Sequence, residues 1–283
     1  MKKTFIILII ALAFNPSCQK SQEIFPGEGK EIILGVDDGS IRAEVDYTKA
    51  TPVTSLPSTL YWGATTGGNA AGSAAETTKW DAASFSVSSS QIATGKYQTV
   101  SPTAYNYYVS NVAFTVGGDT QVSASNATDV IVGRTAQNSS TTPSVTLNHI
   151  FARTGTLTMN TQSGYTISDV SWTIAANGGY SGTAGTYSLR QGVWTGVTTG
   201  LSSTAVTSSS DLFLIPGSYT ISCSYRLTKG DWTNTFTKSA TVGLVGGKIN
   251  NITGTASGGS ASEIVLSISL TAWSTQDHTL SFN

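Results

Sequence analysis

The sequence contains little charge and almost no cysteine or histidine. Lys, Arg, Asp and Glu make up 11% of the 283 residues, and the formal net charge is −1. This balance provides no electrostatic footprint for nucleic acid, so we expect no nucleic-acid partner. The two histidines and two cysteines lack metal-ligand spacing, and neither a nucleophile elbow nor a phosphate-binding glycine loop occurs. These absences predict a protein that is not an enzyme and that uses no metal or cofactor.

Only one long apolar run occurs, and it lies close to the N-terminus. It extends from Phe5 to Phe14 behind the cations Lys2 and Lys3, and it is too short to remain in a bilayer as a spanning helix. This arrangement predicts an export signal. Cys18 follows the run and precedes polar residues, which indicates a lipobox: the leader is removed and Cys18 becomes a lipidated N-terminus. An ordinary signal peptide with an incidental cysteine is the alternative.

Helical periodicity is nearly absent, whereas short runs of period-two alternation recur along the chain. Segments 145–149 and 264–270 alternate apolar with polar residues, which is typical of strands with one buried face. Segment 219–227 places Cys223 on its apolar face, where we expect it to pack as a small buried residue. The pattern predicts an all-β fold of antiparallel sandwiches. Segment 69–78 is the one candidate for a short helix.

The polar stretch 137–144 lies between two strand-rich regions and predicts a domain boundary. We expect a signal peptide at 1–17, a tether at 18–30, an N-terminal β-sandwich at 31–143 and a C-terminal β-sandwich at 144–283.

Four of the six tryptophans fall into two groups. Trp172 and Trp273 lie in strand-like runs, so we expect them in the core or at a sheet end. Trp80 and Trp194 lie near expected loops, where an exposed indole could stack on a sugar ring. These two residues support an alternative function, a surface lipoprotein that binds glycans. A secreted hydrolase, with two carboxylates paired only in space, is a third alternative.

A series of local patterns covers nearly the whole chain after the leader. Its members are the leader ending at Cys18 and the segments 48–55 (TKATPVTS), 129–133 (DVIVG), 145–152 (VTLNHIFA), 214–217 (LIPG), 246–252 (GGKINNI) and the late strand ending at Ala272-Trp273. Each member alone is an ordinary strand or turn. Together they resemble the fimbrillin (Mfa-like) family of Bacteroidia-type, or type V, pilus subunits.

The resemblance implies two tandem transthyretin-like antiparallel β-sandwich domains. It also implies a lipid-anchored protein of the cell outer membrane that becomes part of an extracellular fimbrium. In this family a trypsin-like or arginine-specific protease cuts after the first strand, and a strand of another subunit fills the vacated groove. The implied partners are other pilus subunits, in a homo- or hetero-polymer, and a receptor on a host or bacterial surface. Stalk, tip and anchor roles all stay open.

Two features of the N-terminal region match this assembly scheme. Segment 31–36 is the candidate for the removable first strand, with apolar residues at Ile32, Ile33, Leu34 and Val36. Arg42, followed by Ala43, is the first candidate for cleavage. Lys49, followed by Ala50, is the second, because it occupies the family's Thr-Arg-Ala position with a lysine that an arginine-specific protease would refuse. An uncut chain is the third alternative, and it would suit an anchor subunit.

Overall fold

The computed structural model is an all-β protein, and none of the residues it describes is helical. It describes residues 31–37, 57–66, 76–86, 91–97, 104–138, 143–179, 181–207, 212–256 and 264–272, with 31–37, 91–97, 137–138 and 264–272 described by their backbone alone. Within these ranges we find no helix with the length and hydropathy that a bilayer-spanning segment requires.

The described part of the chain forms eighteen strands. In chain order they are β1 (Glu31–Asp37), β2 (Thr59–Thr66), β3 (Thr77–Ser86), β4 (Gln91–Tyr97), β5 (Tyr105–Ser110), β6 (Gln121–Ser125), β7 (Ile131–Asn138), β8 (Ser144–His149), β9 (Ala152–Thr161), β10 (Thr166–Ala176), β11 (Ala184–Ser188), β12 (Val193–Thr199), β13 (Thr204–Val206), β14 (Phe213–Leu214), β15 (Gly217–Lys229), β16 (Trp232–Leu244), β17 (Lys248–Ala256) and β18 (Ile264–Ala272).

The helix expected at 69–78 is wrong over the part of it that the structure describes. Glu76 forms an antiparallel bridge with Gly118, and the next residues begin β3. Residues 69–75 lie outside the described ranges.

A seven-stranded sheet in the order β3-β2-β5-β7-β8-β1-β4 contains most of the N-terminal strands. Every neighbouring pair in it is antiparallel except β1 and β8, which run parallel. Its third strand, β5, is buried along its whole length. Tyr107 packs in one core with Leu147, while the next residue, Tyr108, packs in a second core with Val122 of β6. The sheet is therefore covered on both faces at β5.

The predicted boundary at 143/144 lies between β7 and β8, which pair in the same seven-stranded sheet. β8 begins at Ser144 but pairs with β7 and β1 in the seven-stranded sheet. A three-stranded sheet in the order β12-β11-β6 then joins β6 to strands more than fifty residues later in the chain. A polar loop between two strands of one sheet has the same composition as a linker, so the sequence alone did not distinguish them.

The C-terminal strands form two four-stranded sheets, β13-β10-β15-β16 and β14-β9-β17-β18. Both sheets contribute side chains to one core, which contains Trp172 of β10 and Ile252 of β17. Cys223 of β15 lies in this core and is fully buried. The expectation of a packed Cys223 and a core Trp172 is therefore confirmed.

Candidate functional site

The first strand, β1, occupies a slot inside the seven-stranded sheet. On one side it runs parallel to β8, with Gly35 opposite Ser144. On the other side it runs antiparallel to β4, with Gly35 opposite Gln91. Among the described strands β4 pairs with β1 alone. The slot between β8 and β4 is thus filled by β1, and β1 is what connects β4 to the rest of the sheet.

β8, the strand on one side of this slot, is paired on its other side with β7. Leu147 of β8 is fully buried and pairs with Gly133 of β7. A Cβ added at Gly133 would meet the backbone oxygen of Thr146 and the side chain of Val145. The two strands are therefore packed too closely at this point for a side chain larger than glycine's hydrogen.

The residues expected to control strand release fall in two places. The candidate strand residues lie in β1, as expected for a strand: Ile32, Ile33, Leu34 and Val36. The residues expected for lipidation and cleavage lie outside the described residues: Cys18, Arg42, Ala43, Lys49 and Ala50.

Trp80, which was expected near a loop, lies in β3. It is half-buried and packs against the core that contains Trp62 and Tyr105. Its ring centroid lies 5.8 Å from that of Trp62 and 5.2 Å from that of Tyr105. The Lys79 ammonium lies 5.6 Å from the Trp80 ring centroid. Neighbouring side chains therefore already contact the ring that was expected to be free for a sugar.

Trp194, the other tryptophan expected near a loop, lies in β12 and is half-buried. Its Nε1 donates a hydrogen bond to the Ile150 carbonyl at 3.2 Å. Its ring centroid lies 5.0 Å from that of Phe151 and 5.5 Å from that of Tyr187. The half-buried indole thus helps to pack the core beneath the three-stranded sheet.

A set of buried polar side chains lies where β3, β5 and β7 approach the turn before β6. This set, here called the junction cluster, consists of Glu76, Asn106, Tyr108, Thr120 and Arg134. Its acceptor is Glu76, whose side chain is fully buried. Tyr108 Oη donates to Glu76 Oε2 at 2.6 Å, Asn106 Nδ2 donates to Oε1 at 3.0 Å and Thr120 Oγ1 donates to Oε2 at 3.2 Å. Arg134 Nη2 lies 3.9 Å from Oε1. These donors compensate a buried carboxylate that would otherwise be strongly unfavourable.

The junction cluster reaches into the C-terminal half of the chain. Arg134 Nη1 donates to the Arg190 carbonyl at 2.6 Å. Arg190 Nη1 in turn lies 3.7 Å from Asp119 Oδ1. Burial raises the pKa of Tyr108 well above its usual range, against the lowering effect of Arg134, and the hydrogen bond to Glu76 adds to the rise. Tyr108 therefore stays protonated and remains a donor.

No local pattern in the sequence indicates the junction cluster, because its members come from four separate segments of the chain and follow no fixed spacing. Its chemistry is structural, since the Glu76 carboxylate is fully buried and four side chains surround it. Within the described ranges, no group of three or more His, Cys, Asp or Glu side chains is placed to hold a metal ion.

The fold and the slot define a class: an all-β protein of packed, mainly antiparallel sheets whose first described strand lies inside a sheet. No family model matches the chain, and no curated protein matches it. Among solved structures it is similar to candidate cell adhesion proteins of three Bacteroides species. That of Bacteroides eggerthii is 14% identical, with a TM-score of 0.48 over 86% of this chain and 96% of the other. That of Bacteroides ovatus is 11% identical, with a TM-score of 0.45 over 88% and 100%.

The third, from Bacteroides fragilis, is 14% identical, with a TM-score of 0.41 over 87% of this chain and 99% of the other. No TM-score in this group of three exceeds 0.48. Likenesses this weak carry no functional argument for the present chain.

Proposed function

We propose that this chain is a structural and adhesive subunit of a cell-surface fimbria. It is exported as a lipoprotein through Cys18, anchored in the outer membrane and assembled by release of β1 and strand exchange. One observation carries the proposal: the first described strand fills an internal slot of a sheet, and β4 pairs with no other described strand.

The physical argument concerns the edges that loss of β1 would create. Without β1, the backbone groups of β8 at 144–146 and of β4 at 91–93 lose their strand partner. Unpaired backbone donors and acceptors in a sheet are unfavourable unless water or another strand satisfies them. A strand from a second subunit can restore both sets of hydrogen bonds at once.

The position of the basic residues fits this scheme. Arg42 and Lys49 both lie between the end of β1 at Asp37 and the start of β2 at Thr59. A cut after either residue therefore disconnects β1 from β2 without cutting any described strand. Arg42 is our first choice because an arginine-specific protease accepts it, and Lys49 is the second.

The test uses the mature protein, cut after Arg42 by an arginine-specific protease, and a labelled peptide with the sequence of residues 31–37. We expect the peptide to bind the cut protein. In the absence of the peptide, we expect the cut protein to form protease-resistant polymers. The matched control is the same peptide with Gly35→Pro. Gly35 pairs on both sides, and a proline there removes a ladder hydrogen bond. We expect the control peptide to bind at least about tenfold more weakly.

The site of cleavage is tested in the same preparation. Arg42→Ala is expected to remain uncut and monomeric, whereas Lys49→Ala is expected to be processed and to polymerise normally. The N-terminal residue of each product is determined directly. A cut protein that stays monomeric and binds the two peptides equally would contradict strand exchange.

A further inference from the structure

Trp232 is the one exposed tryptophan of the described ranges. Its side chain is 43% exposed, whereas Trp62 and Trp172 are 5% exposed. It starts β16 and forms the last pair of the β15–β16 hairpin, opposite Lys229. The other end of this hairpin faces the body of the protein, because Tyr219 at the start of β15 hydrogen-bonds to Gly182. Trp232 thus lies at the free tip.

Two neighbouring aromatic side chains hold the Trp232 ring in place. Its centroid lies 6.2 Å from that of Phe236, with the planes tilted by 37°, and 6.5 Å from that of Tyr165, at 87°. Phe236 in turn stacks on the buried Tyr225 at 5.6 Å. Phe236 and Tyr165 both pack against the C-terminal core. The exposed indole is therefore supported from the core, so little side-chain entropy is lost when a ligand covers it.

A cation lies beside this aromatic platform. Lys229 is exposed, and its Nζ lies 4.7 Å from the Tyr165 ring centroid. It has no ion pair within the part of the chain that the structure describes. The nearby Arg226 and Asp169 neutralise each other at 3.1 Å. Asp231, exposed in the turn, is the remaining charge of the hairpin tip.

The size of the patch decides what kind of partner suits it. Only three large apolar side chains of the described residues are exposed: Val170, Val193 and Trp232. A stable protein interface buries about 800 Å² per partner with a continuous apolar centre, and one indole does not provide this. A single supported ring beside one cation instead matches a small cyclic ligand with an apolar face and a negative group.

We propose that the platform of Tyr165, Lys229, Trp232 and Phe236 binds an acidic sugar unit, a hexuronic acid, within a polysaccharide. The electron-rich face of Trp232 attracts the polarised C–H groups of the pyranose ring. The Lys229 ammonium forms a charge-assisted hydrogen bond with the sugar carboxylate. The inference goes beyond the proposed function and does not depend on it, because β1 takes no part in the platform.

The experiment measures binding of oligogalacturonate, oligoglucuronate and oligomannuronate to the full mature protein by calorimetry. We expect at least one of the three to bind, and its neutral methyl ester to bind more weakly. Trp232→Ala should lower the affinity at least about tenfold. Lys229→Gln should lower the affinity for the free acid about two- to fivefold and remove the preference for it over the ester.

Two controls separate the platform from general effects. Val193→Ala changes an equally exposed apolar residue in another sheet and should leave binding unchanged. Asp231→Asn should strengthen binding, because it removes the opposing charge. Circular dichroism establishes whether each variant is folded. If Trp232→Ala does not fold, the Lys229 and Asp231 variants test the proposal. Absence of binding to all three acids, or equal binding by the native protein and the platform variants, overturns the proposal.

Discussion

Cys223 is a thiol whose surroundings suppress its chemistry. It is fully buried among apolar residues of the C-terminal core, and burial raises its pKa to about 12. The thiolate is the reactive form of cysteine, so Cys223 is inert at neutral pH. Tyr219, also fully buried, has its pKa raised to about 12 by burial, against the lowering effect of the hydrogen bond with Gly182.

These raised pKa values predict a loss of stability at alkaline pH. The unfolded chain releases the Cys223 proton near pH 9.0 and the Tyr219 proton near pH 10.0, while the folded chain keeps both to about 12. The stabilisation is complete below the unfolded pKa and is lost as pH rises towards the folded one. Between these limits each group lowers the free energy of unfolding by about 1.4 kcal/mol per pH unit.

Urea unfolding at pH 8, 9.5 and 10.5 measures this decline. Cys223→Ala should have a lower free energy of unfolding at every pH because of the cavity, but a shallower decline from pH 9 upwards. A free energy of unfolding of the native protein that stays constant from pH 8 to pH 10.5 would contradict the assignment.

At the scale of elements, the contact between β7 and β8 is the tightest constraint on the slot that holds β1. Gly133→Ala would place a methyl group against the backbone of β8. Because backbone cannot rotate away as a side chain can, we expect a loss of about 1–3 kcal/mol of stability. Urea unfolding measures it, and the variant should also bind the 31–37 peptide more weakly after cleavage.

Gly243 provides a matched control, since it too lies within a strand but a Cβ there meets no atom within 4 Å. Gly243→Ala should be neutral or stabilising by a few tenths of a kcal/mol up to about 1. Equal losses in the two variants would mean that chain flexibility, and not the close approach of β7 and β8, sets the requirement for glycine.

The strands themselves were the most predictable elements. Segments 145–149 and 219–227 show period-two alternation, which depends only on neighbouring residues, and both lie in strands. The exposure of Trp80 and Trp194 was not predictable, because it depends on rings supplied by distant segments, such as Tyr105 and Phe151. The extended conformation at Glu76, just before β3, was missed for the same reason, since its bridge partner Gly118 is remote in sequence.

At the scale of the whole molecule, the junction cluster connects the seven-stranded sheet to the turn that follows β11. Glu76→Gln removes the charge that balances Arg134 in a fully buried site. Breaking such a pair on one side typically costs about 3–5 kcal/mol, and we expect a loss of this size. The double variant Glu76→Gln, Arg134→Met should recover part of it, because the uncompensated charge is gone. Urea unfolding at neutral pH provides all three free energies.

An exposed ion pair is the control for this prediction. Arg226 and Asp169 lie 3.1 Å apart, with side chains 52% and 60% exposed. Asp169→Asn should cost less than about 1 kcal/mol, as surface pairs do, and asparagine tolerates the positive φ of 52° at this position. A loss for Glu76→Gln no larger than that for Asp169→Asn would show that the junction cluster contributes little.

The division of the chain was the feature least accessible from sequence. The polar stretch 137–144 was a sound signal for a loop, and the structure ends β7 and begins β8 within it. Nothing local shows that β8 returns to the same sheet, or that β6 pairs with β11. Strand partners are chosen by long-range packing, which leaves no periodic trace in either strand.

The parallel pairing of β1 with β8 also has a consequence for the order of folding. Gly35 and Ser144 are direct partners, although more than 100 residues separate them in the chain. Closing so long a loop is entropically costly before other contacts have formed. We therefore expect β1 to dock among the last of the described strands, onto a scaffold that has already formed. Removal of β1 would then reverse a late folding step, and we expect the remaining strands to keep their pairing.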